Sequence, residues 1–301
     1  MRDLIIIGGG PAGLTAGIYG KRAGLDTLVI ESMPLFGGQV TTTVDVDNYP
    51  GLPGIGGFEL GDTFKRHADK FGVEFLEGEV MGIEAEGEVK SVTVNGEKVE
   101  GRALIIATGA AHNQLGVPGE EELRGMGVSY CATCDGAFFR KRVTVVVGGG
   151  DVALEDALFL ARGCEKVYLI HRRDTYRAAY SIVEKVKNTE NIIPVYNSVV
   201  DEILGDGQVS GVRVTDKKSG ESSVIECAGV FIAVGTHPIT EFVKGSVDMD
   251  EKGYIIAGED CRTNVDGVYA AGDVRVKPLR QIVTATADGA NAVNSAVEYL
   301  S

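Results

Sequence analysis

Cys131 and Cys134 stand three residues apart with Asp135 directly after them, a grouping suited to electron and proton chemistry. At the start of a helix this spacing brings two sulfurs to one face, close enough to bond, and the helix N-terminus favours the thiolate. Zinc needs four ligands, and no second C-x-x-C, C-x-x-H or H-x-x-H spacing is there to complete a set, so no metal is expected. Asp135 admits two readings: a general acid/base that hands protons to a departing thiolate, or a charge at a helix N-terminus. Cys164, Cys227 and Cys261 are isolated and read as small buried apolar residues. Five cysteines cannot all pair within one chain, and their spacing is unlike a secreted disulfide scaffold, so a reducing compartment is expected.

The second group of chemically suggestive residues is made of glycines. Leu4-Ile5-Ile6-Ile7-Gly8-Gly9-Gly10-Pro11-Ala12-Gly13 repeats 140 residues later as Thr144-Val145-Val146-Val147-Gly148-Gly149-Gly150-Asp151-Val152-Ala153. Each copy is a buried-strand run followed by G-x-G-x-x-G/A, the spacing that lets a pyrophosphate touch backbone at a helix N-terminus. Leu28-Val29-Ile30-Glu31 and Tyr168-Leu169-Ile170-His171 repeat at the same offset, so two βαβ units are predicted. At the end of the first unit's second strand, Glu31 suits the hydroxyls of an unphosphorylated adenosine ribose, as in FAD or NAD. The equivalent position in the second unit is His171, followed by Arg172, Arg173 and Arg177. Three guanidinium groups in an acidic chain make an anion trap suited to the 2′-phosphate of NADPH, the alternative being a solvated charge run.

A third echo closes each unit: Ile105-Ile106-Ala107-Thr108-Gly109 against Phe231-Ile232-Ala233-Val234-Gly235. The later segment Gly267-Val268-Tyr269-Ala270-Ala271-Gly272-Asp273 has no counterpart between the repeats and reads as a strand returning to the first domain. Asp273 then lies at a strand's carboxyl end, where ligands bind; it serves the ribityl or phosphate region of a flavin or is a plain helix N-cap before Gln281. The fold expected is α/β, with two Rossmann-like, three-layer dinucleotide domains, the second inserted into the first through a two-strand hinge. The boundaries read as 1–112 with 240–301 for the first domain and 113–239 for the second, with crossovers near Gly109 to Pro118 and Gly235 to Thr240. Residues 79–101 read as a hairpin region turning at Asn95-Gly96, and residues 209–225 as a similar meander.

Composition narrows the class of partner. Lys plus Arg total 29 against 43 Asp plus Glu, and the net charge of −14 repels phosphate backbones and anionic bilayers, so neither nucleic acid nor a membrane is expected. Apolar runs stop at glycines well short of a membrane span and no leader pattern precedes them, which points to a cytoplasmic, soluble protein.

Cys131-Ala132-Thr133-Cys134-Asp135-Gly136, taken with both glycine fingerprints, the arginine cluster, Gly37-Gly38-Gln39, Asn48-Tyr49-Pro50-Gly51 and Arg280-Gln281, resembles the low-molecular-weight bacterial thioredoxin reductases from end to end. The resemblance implies FAD at the first site, NADPH at the second, a homodimer, and thioredoxin as the disulfide substrate. It further implies that Cys134 lies nearer the flavin, that Cys131 exchanges with thioredoxin, and that Asp135 is the acid/base. Gly37, Gly38, Gln39, Asn48, Asp273, Arg280 and Gln281 are carried over as FAD contacts. The pattern departs at Val152, where the family usually has Ser or Thr, and at His112-Asn113, in place of a basic residue. Rival readings are a ferredoxin-fed reductase, a dithiol oxidase, and a redox-responsive flavoprotein that binds a partner without turnover.

Overall fold

The computed structural model describes residues 1–43 and 45–301. In chain order it runs β1 (Arg2–Ile7), α1 (Pro11–Arg22), β2 (Thr27–Glu31), β3 (Asp45–Val46), β4 (Ile55–Gly56), α2 (Gly57–Lys70), β5 (Glu74–Glu77), β6 (Val80–Glu84), β7 (Lys90–Val94), β8 (Glu97–Ile106) and β9 (Ala110–His112). Then follow β10 (Val128–Ser129), α3 (Ala132–Asp135), β11 (Val143–Gly148), α4 (Asp151–Ala161), β12 (Lys166–Ile170), α5 (Tyr180–Lys187) and β13 (Ile192–Val195). The chain closes with β14 (Ser198–Gly205), β15 (Val209–Asp216), β16 (Ser222–Glu226), β17 (Gly229–Ala233), β18 (Thr236–Pro238), β19 (Val268–Ala270) and α6 (Ile282–Leu300). Two compact units result, Met1–Ala111 with His237–Ser301, and His112–Thr236.

In the first unit the parallel core β5-β2-β1-β8 continues antiparallel through β7 and β6, and β19 pairs β8 in parallel. Alternation along β1 explains why the sheet is covered on both faces, since successive strand residues point to opposite sides. Leu4 and Ile6 pack with Leu14 and Ala16 of α1 and Ala292 and Val293 of α6, while Ile5 and Ile7 pack with Val92 and Val94 of β7. Each fully buried Leu, Ile or Val among these contributes about 1.5–3 kcal/mol. Asn95 and Gly96 both carry positive φ, 49° and 88°, which is the two-residue hairpin geometry that the Asn-Gly pair favours.

The second unit repeats the plan. Its five strands run β10-β17-β11-β12-β13, all parallel, and a separate antiparallel sheet β14-β15-β16 supplies one covering layer. Val146 packs with Leu154 and Ala157 of α4, and Val145 and Val147 pack with Val212 and Val214 of β15. Registers reproduce the sequence repeat. Ile7 is opposite Ile30 and Ile106 in the first unit, and Val147 is opposite Ile170 and Ile232 in the second. The connecting segments β9 and β18 form a two-stranded sheet of their own.

Candidate active site

In the first unit the turn between β1 and α1 is closed by backbone contacts that leave no room for side chains. Gly8 has φ +111°, and a Cβ there would stand 2.4 Å from the Ala107 carbonyl oxygen; one on Gly13 would stand 1.8 Å from the Gly8 oxygen. Around Gly10, the N-cap of α1, no atom lies within 4 Å of where a Cβ would be, so the helix N-terminus with Pro11 in its first turn opens onto free space. Glu31 closes the turn from β2: its Oε2 accepts from the Gly9 N–H at 2.6 Å and its Oε1 from the Met33 N–H at 3.0 Å.

Gly37, Gly38, Gly272 and Ala107 lie against this turn, and the other expected contacts pair among themselves. The Gly37 N–H donates to the Gly9 carbonyl at 2.8 Å, Gly38 lies against Gly10, and Gln39 follows in the 3-10 turn Gly38–Thr42. Gly272 packs against Ala12, and Ala107, Thr108 and Gly109 prolong β8 beside it, the Ala107 N–H donating to Ile7. Asn48 Nδ2 donates to Gln281 Oε1 at 2.9 Å, and Gln281 caps α6. Arg280 donates to the Asp273 carbonyl and stacks its guanidinium 4.1 Å over the Tyr254 ring. Asp273 sits in the short turn Gly272–Val274; its Oδ1 is buried and accepts no hydrogen bond from the described residues. Burial pushes this carboxyl above its ordinary range, while Lys277 and Arg280 pull it down. A buried acceptor awaiting a hydroxyl donor, beside an open helix N-terminus, fits a dinucleotide with a polyol chain.

The second unit presents the same turn with different trim. Gly150 caps α4, which begins at Asp151; a Cβ on Gly148 would meet the Ala233 oxygen at 2.4 Å and the Ala153 Cβ at 2.6 Å. Asp151 Oδ1 accepts from the Ala179 N–H at 2.7 Å, and the Arg177 N–H donates to the Gly149 carbonyl at 2.7 Å. His171 is 6% exposed, with its ring against Gly149 and its Nε2 3.0 Å from the Thr175 carbonyl oxygen; burial lowers its pKa and favours the neutral imidazole. Arg172, Arg173 and Arg177 are exposed, and none takes part in an ion pair among the described residues. Val152 is 62% exposed in the first turn of α4.

Cys131 and Cys134 are bonded, with Cα atoms 5.3 Å apart, Cys131 being the N-cap of the one-turn helix α3. Ser129, buried two residues upstream, organises this turn. Its hydroxyl donates to Asp135 Oδ2 at 2.6 Å and accepts from the Cys131 N–H at 3.0 Å. The carboxylate is thereby tied to the same short stretch as the sulfurs, and Asp135 N–H also donates to the Cys131 carbonyl at 3.1 Å. In the same unit, Glu120 is 3% exposed and accepts from the N–H groups of Leu115, Gly116 and Val117 and from the hydroxyl of Tyr130, the residue before Cys131. His112 stacks on the same Tyr130 ring at 5.1 Å, and burial lowers its pKa. Ser129 and Glu120 escaped sequence reading; the signal available was a Ser two residues before the first cysteine and a Glu directly after Pro118-Gly119. The remaining thiols are buried: Cys227 and Cys261 are pushed up to about 12 by burial, and Cys164 is also raised.

Two Rossmann-like units, each with a glycine turn, and a bonded C-x-x-C beside a carboxylate define a nucleotide-dependent disulfide oxidoreductase. The chain matches the model of the family "Pyridine nucleotide-disulphide oxidoreductase" over residues 2–289, and it belongs to that family. A protein named thioredoxin reductase from Listeria monocytogenes serovar 1/2a is 47% identical over 300 residues, covering 99% of this chain and 93% of its own. Another of that name from Bacillus subtilis strain 168 is 45% identical, covering 99% and 94%. The crystal structure of thioredoxin reductase from Streptococcus pyogenes superposes with a TM-score of 0.95 at 44% identity, covering 100% of this chain and 98% of that one. The resemblance read from the motifs therefore extends along the whole chain.

Proposed function

We propose that this chain is an NADPH-dependent reductase of thioredoxin disulfides, acting in the cytoplasm as a homodimer, with neither nucleic acid nor a membrane as partner. The observation that carries the reading is the bonded Cys131–Cys134 pair beside Asp135, in a unit whose own glycine turn is flanked by three exposed arginines.

FAD is assigned to the first unit and NADPH to the second. Gly8, Gly10, Pro11, Ala12 and Gly13 would receive the flavin's pyrophosphate, Glu31 its adenosine ribose, and Asp273 its ribityl hydroxyls. Gly37, Gly38, Gln39, Asn48, Ala107, Thr108, Gly109, Gly272, Arg280 and Gln281 frame the same site. Gly148, Gly150, Asp151 and Ala153 would receive the NADPH pyrophosphate, His171 would close that turn, and Arg172, Arg173 and Arg177 would grip the 2′-phosphate. The flavin, when bound, supplies the link between hydride chemistry and two-electron reduction of the disulfide. In the reduced pair, the Cys131 thiolate attacks one sulfur of the thioredoxin disulfide and expels the other as a thiolate. Cys134 then attacks Cys131, releasing the second thioredoxin sulfur and restoring the internal bond. Asp135, oriented by Ser129, takes the proton that Cys134 loses as it attacks Cys131 and passes it to the departing thioredoxin sulfur.

The test is an anaerobic titration with NADPH followed by thioredoxin. NADPH should bleach the flavin and release two reactive thiols per chain, and the three buried cysteines should add no background under native conditions. Thioredoxin should then consume those two thiols and gain two. Flavin that stays oxidised with NADPH but bleaches with reduced ferredoxin would overturn the donor assignment, and electrons delivered to oxygen rather than thioredoxin would overturn the acceptor.

A further inference from the structure

One hydrogen bond at the redox pair has no part in the steps above. The hydroxyl of Thr133, which lies between the two cysteines in sequence, is 3.4 Å from the Cys131 sulfur. A sulfur bonded to Cys134 carries no proton, so the hydroxyl is the donor and the sulfur the acceptor. Among the described residues this is the one side-chain hydrogen bond that reaches either sulfur, and it reaches Cys131 alone. A threonine in a helical turn can instead bond back to a main-chain carbonyl, as Thr189 does onto Lys185 at the end of α5. Thr133 makes no such bond among the described residues, and its contact leaves the two sulfurs chemically unequal.

The neighbouring ionisable groups offer a thiolate no support. Asp135 is acidic, and its carboxylate is engaged by the Ser129 hydroxyl. The 3-10 turn Gly136–Phe139 and helix α4 pack against α3, with Gly136 lying against Phe159 and Leu160. That turn has no ionisable side chain, and those of α4 are Asp151, Glu155 and Asp156, all acidic. Burial, with Glu155 adding to it, pushes Asp156 up to about 7. A hydrogen bond donated to the charged form favours that form, and the bond strengthens when its acceptor is ionised. The Thr133 hydroxyl is placed to do this at Cys131.

We propose that Thr133 is a catalytic residue: its hydroxyl donates to the Cys131 sulfur and stabilises the thiolate there, which selects Cys131 over Cys134 as the sulfur that attacks the incoming disulfide. This rests on the reading of Cys131–Cys134 as the pair that reduces thioredoxin. In the attack the Cys131 thiolate gives its electron pair to one thioredoxin sulfur. A new S–S bond forms, the old one breaks, and an electron pair leaves on the second thioredoxin sulfur; the hydroxyl keeps its proton throughout. Because charge leaves Cys131 as it reacts, the hydroxyl enlarges the thiolate fraction and makes each thiolate a weaker nucleophile. The first effect dominates at low pH and the second at high pH.

The experiment uses the full-length chain carrying Cys134→Ala, in which Cys131 is the reactive cysteine because Cys164, Cys227 and Cys261 are buried. Its rate of attack on the small disulfide dithionitrobenzoate, read from the coloured thiolate released, is followed from pH 5.5 to pH 10 with Thr133, Thr133→Val or Thr133→Ser. T133V loses a charge-assisted hydrogen bond and is expected to lower the acid dissociation constant of Cys131 about tenfold. Thiol nucleophilicity scales as roughly the 0.4–0.5 power of basicity, so T133V should react about threefold slower at pH 5.5 and about threefold faster on the high-pH plateau. The two profiles should cross, and T133S should follow the parent. Asp135 and Asp156 are common to all three chains, so their titration cancels in the ratio. Coincident profiles overturn the proposal, as does a loss of equal size at every pH, or T133S behaving as T133V. If T133V does not fold, Thr133→Ala is compared by the same assay and criteria. With oxidised thioredoxin the Cys134→Ala chain should form a mixed disulfide. If only a Cys131→Ala chain forms one, the assignment of roles to the two cysteines falls, an outcome distinct from the profiles with the small disulfide.

Discussion

Replacing both Arg172 and Arg173 by Ala tests the nucleotide assignment of the second unit most directly. Charge-assisted hydrogen bonds are worth about 1.5–3 kcal/mol each, and because both guanidinium groups are exposed the lower figure applies, about 1.5 kcal/mol per arginine. That is about tenfold for one substitution and about a hundredfold for both, provided the two contacts are independent. Neither arginine is in an ion pair among the described residues, so no carboxylate is stranded and thermal stability should stay within about 0.5 kcal/mol of the parent. The assay is kcat/KM for NADPH and for NADH under saturating thioredoxin. NADH lacks the 2′-phosphate, so its value should be nearly unchanged while that for NADPH drops about a hundredfold. An unchanged ratio would show that these guanidinium groups grip no phosphate. A parallel fall with both nucleotides would show instead that they support the turn and not cofactor choice.

Four further outcomes follow from the geometry. Cys134→Ser should retain bound flavin yet abolish thioredoxin reduction, and full turnover in a thiol-release assay would rule the pair out. Asp135→Asn and Ser129→Ala should both slow thiol exchange while leaving flavin reduction by NADPH intact, as read by stopped-flow absorbance; equal exchange rates would reduce Asp135 to a helix charge. Gly13→Ala drives a Cβ to 1.8 Å from the Gly8 oxygen, and loss of FAD binding with lowered thermal stability is expected. Asp288→Asn strands two buried cations and should cost about 3–5 kcal/mol at pH 7 in urea unfolding. Burial alone would raise the Asp288 pKa, but its bonds to Arg275 and Lys277 outweigh that and hold it below the ordinary range. Its stabilisation is thus complete above the unfolded carboxylate pKa of about 3.9 and is lost as pH falls through the lower folded value. The gap between parent and variant should close on acidification below about pH 4.

What the sequence disclosed depended on how local each feature was. The glycine turns, the Asn95-Gly96 hairpin and the C-x-x-C are set by neighbours within ten residues, so spacing alone identified them. The equivalence of Ile106 and Ile232 was visible because strands that end at one sheet edge must stop in register with β1 and β11. The Asp288 cluster joins residues 11 to 16 apart through side chains whose aim depends on how α6 packs, and no periodicity records that. Glu120 shows a related limit: next to a Pro-Gly pair it reads as an ordinary turn carboxylate, and its hold on Tyr130 needs the strand β10 alongside. For Asp273, a strand's carboxyl end was legible, but the orphaned Oδ1 that favours a ligand over a cap was not.

The pairing of β9 with β18 bears on how such a chain could arise and be dissected. The Ile239 N–H donates to the Gly109 carbonyl and the Asn113 N–H to the Gly235 carbonyl, so the points where the polypeptide departs from one sheet system and rejoins it are next-door strands, a spacing of about 5 Å. A gap of that width is spanned by two or three amino acids. Excising 112–236 and sewing the cut with a short Gly-Ser bridge should leave a remnant able to fold by itself, and the excised stretch has equally close ends. A gene could have acquired the inner cassette in a single splice, with no rebuilding of the host.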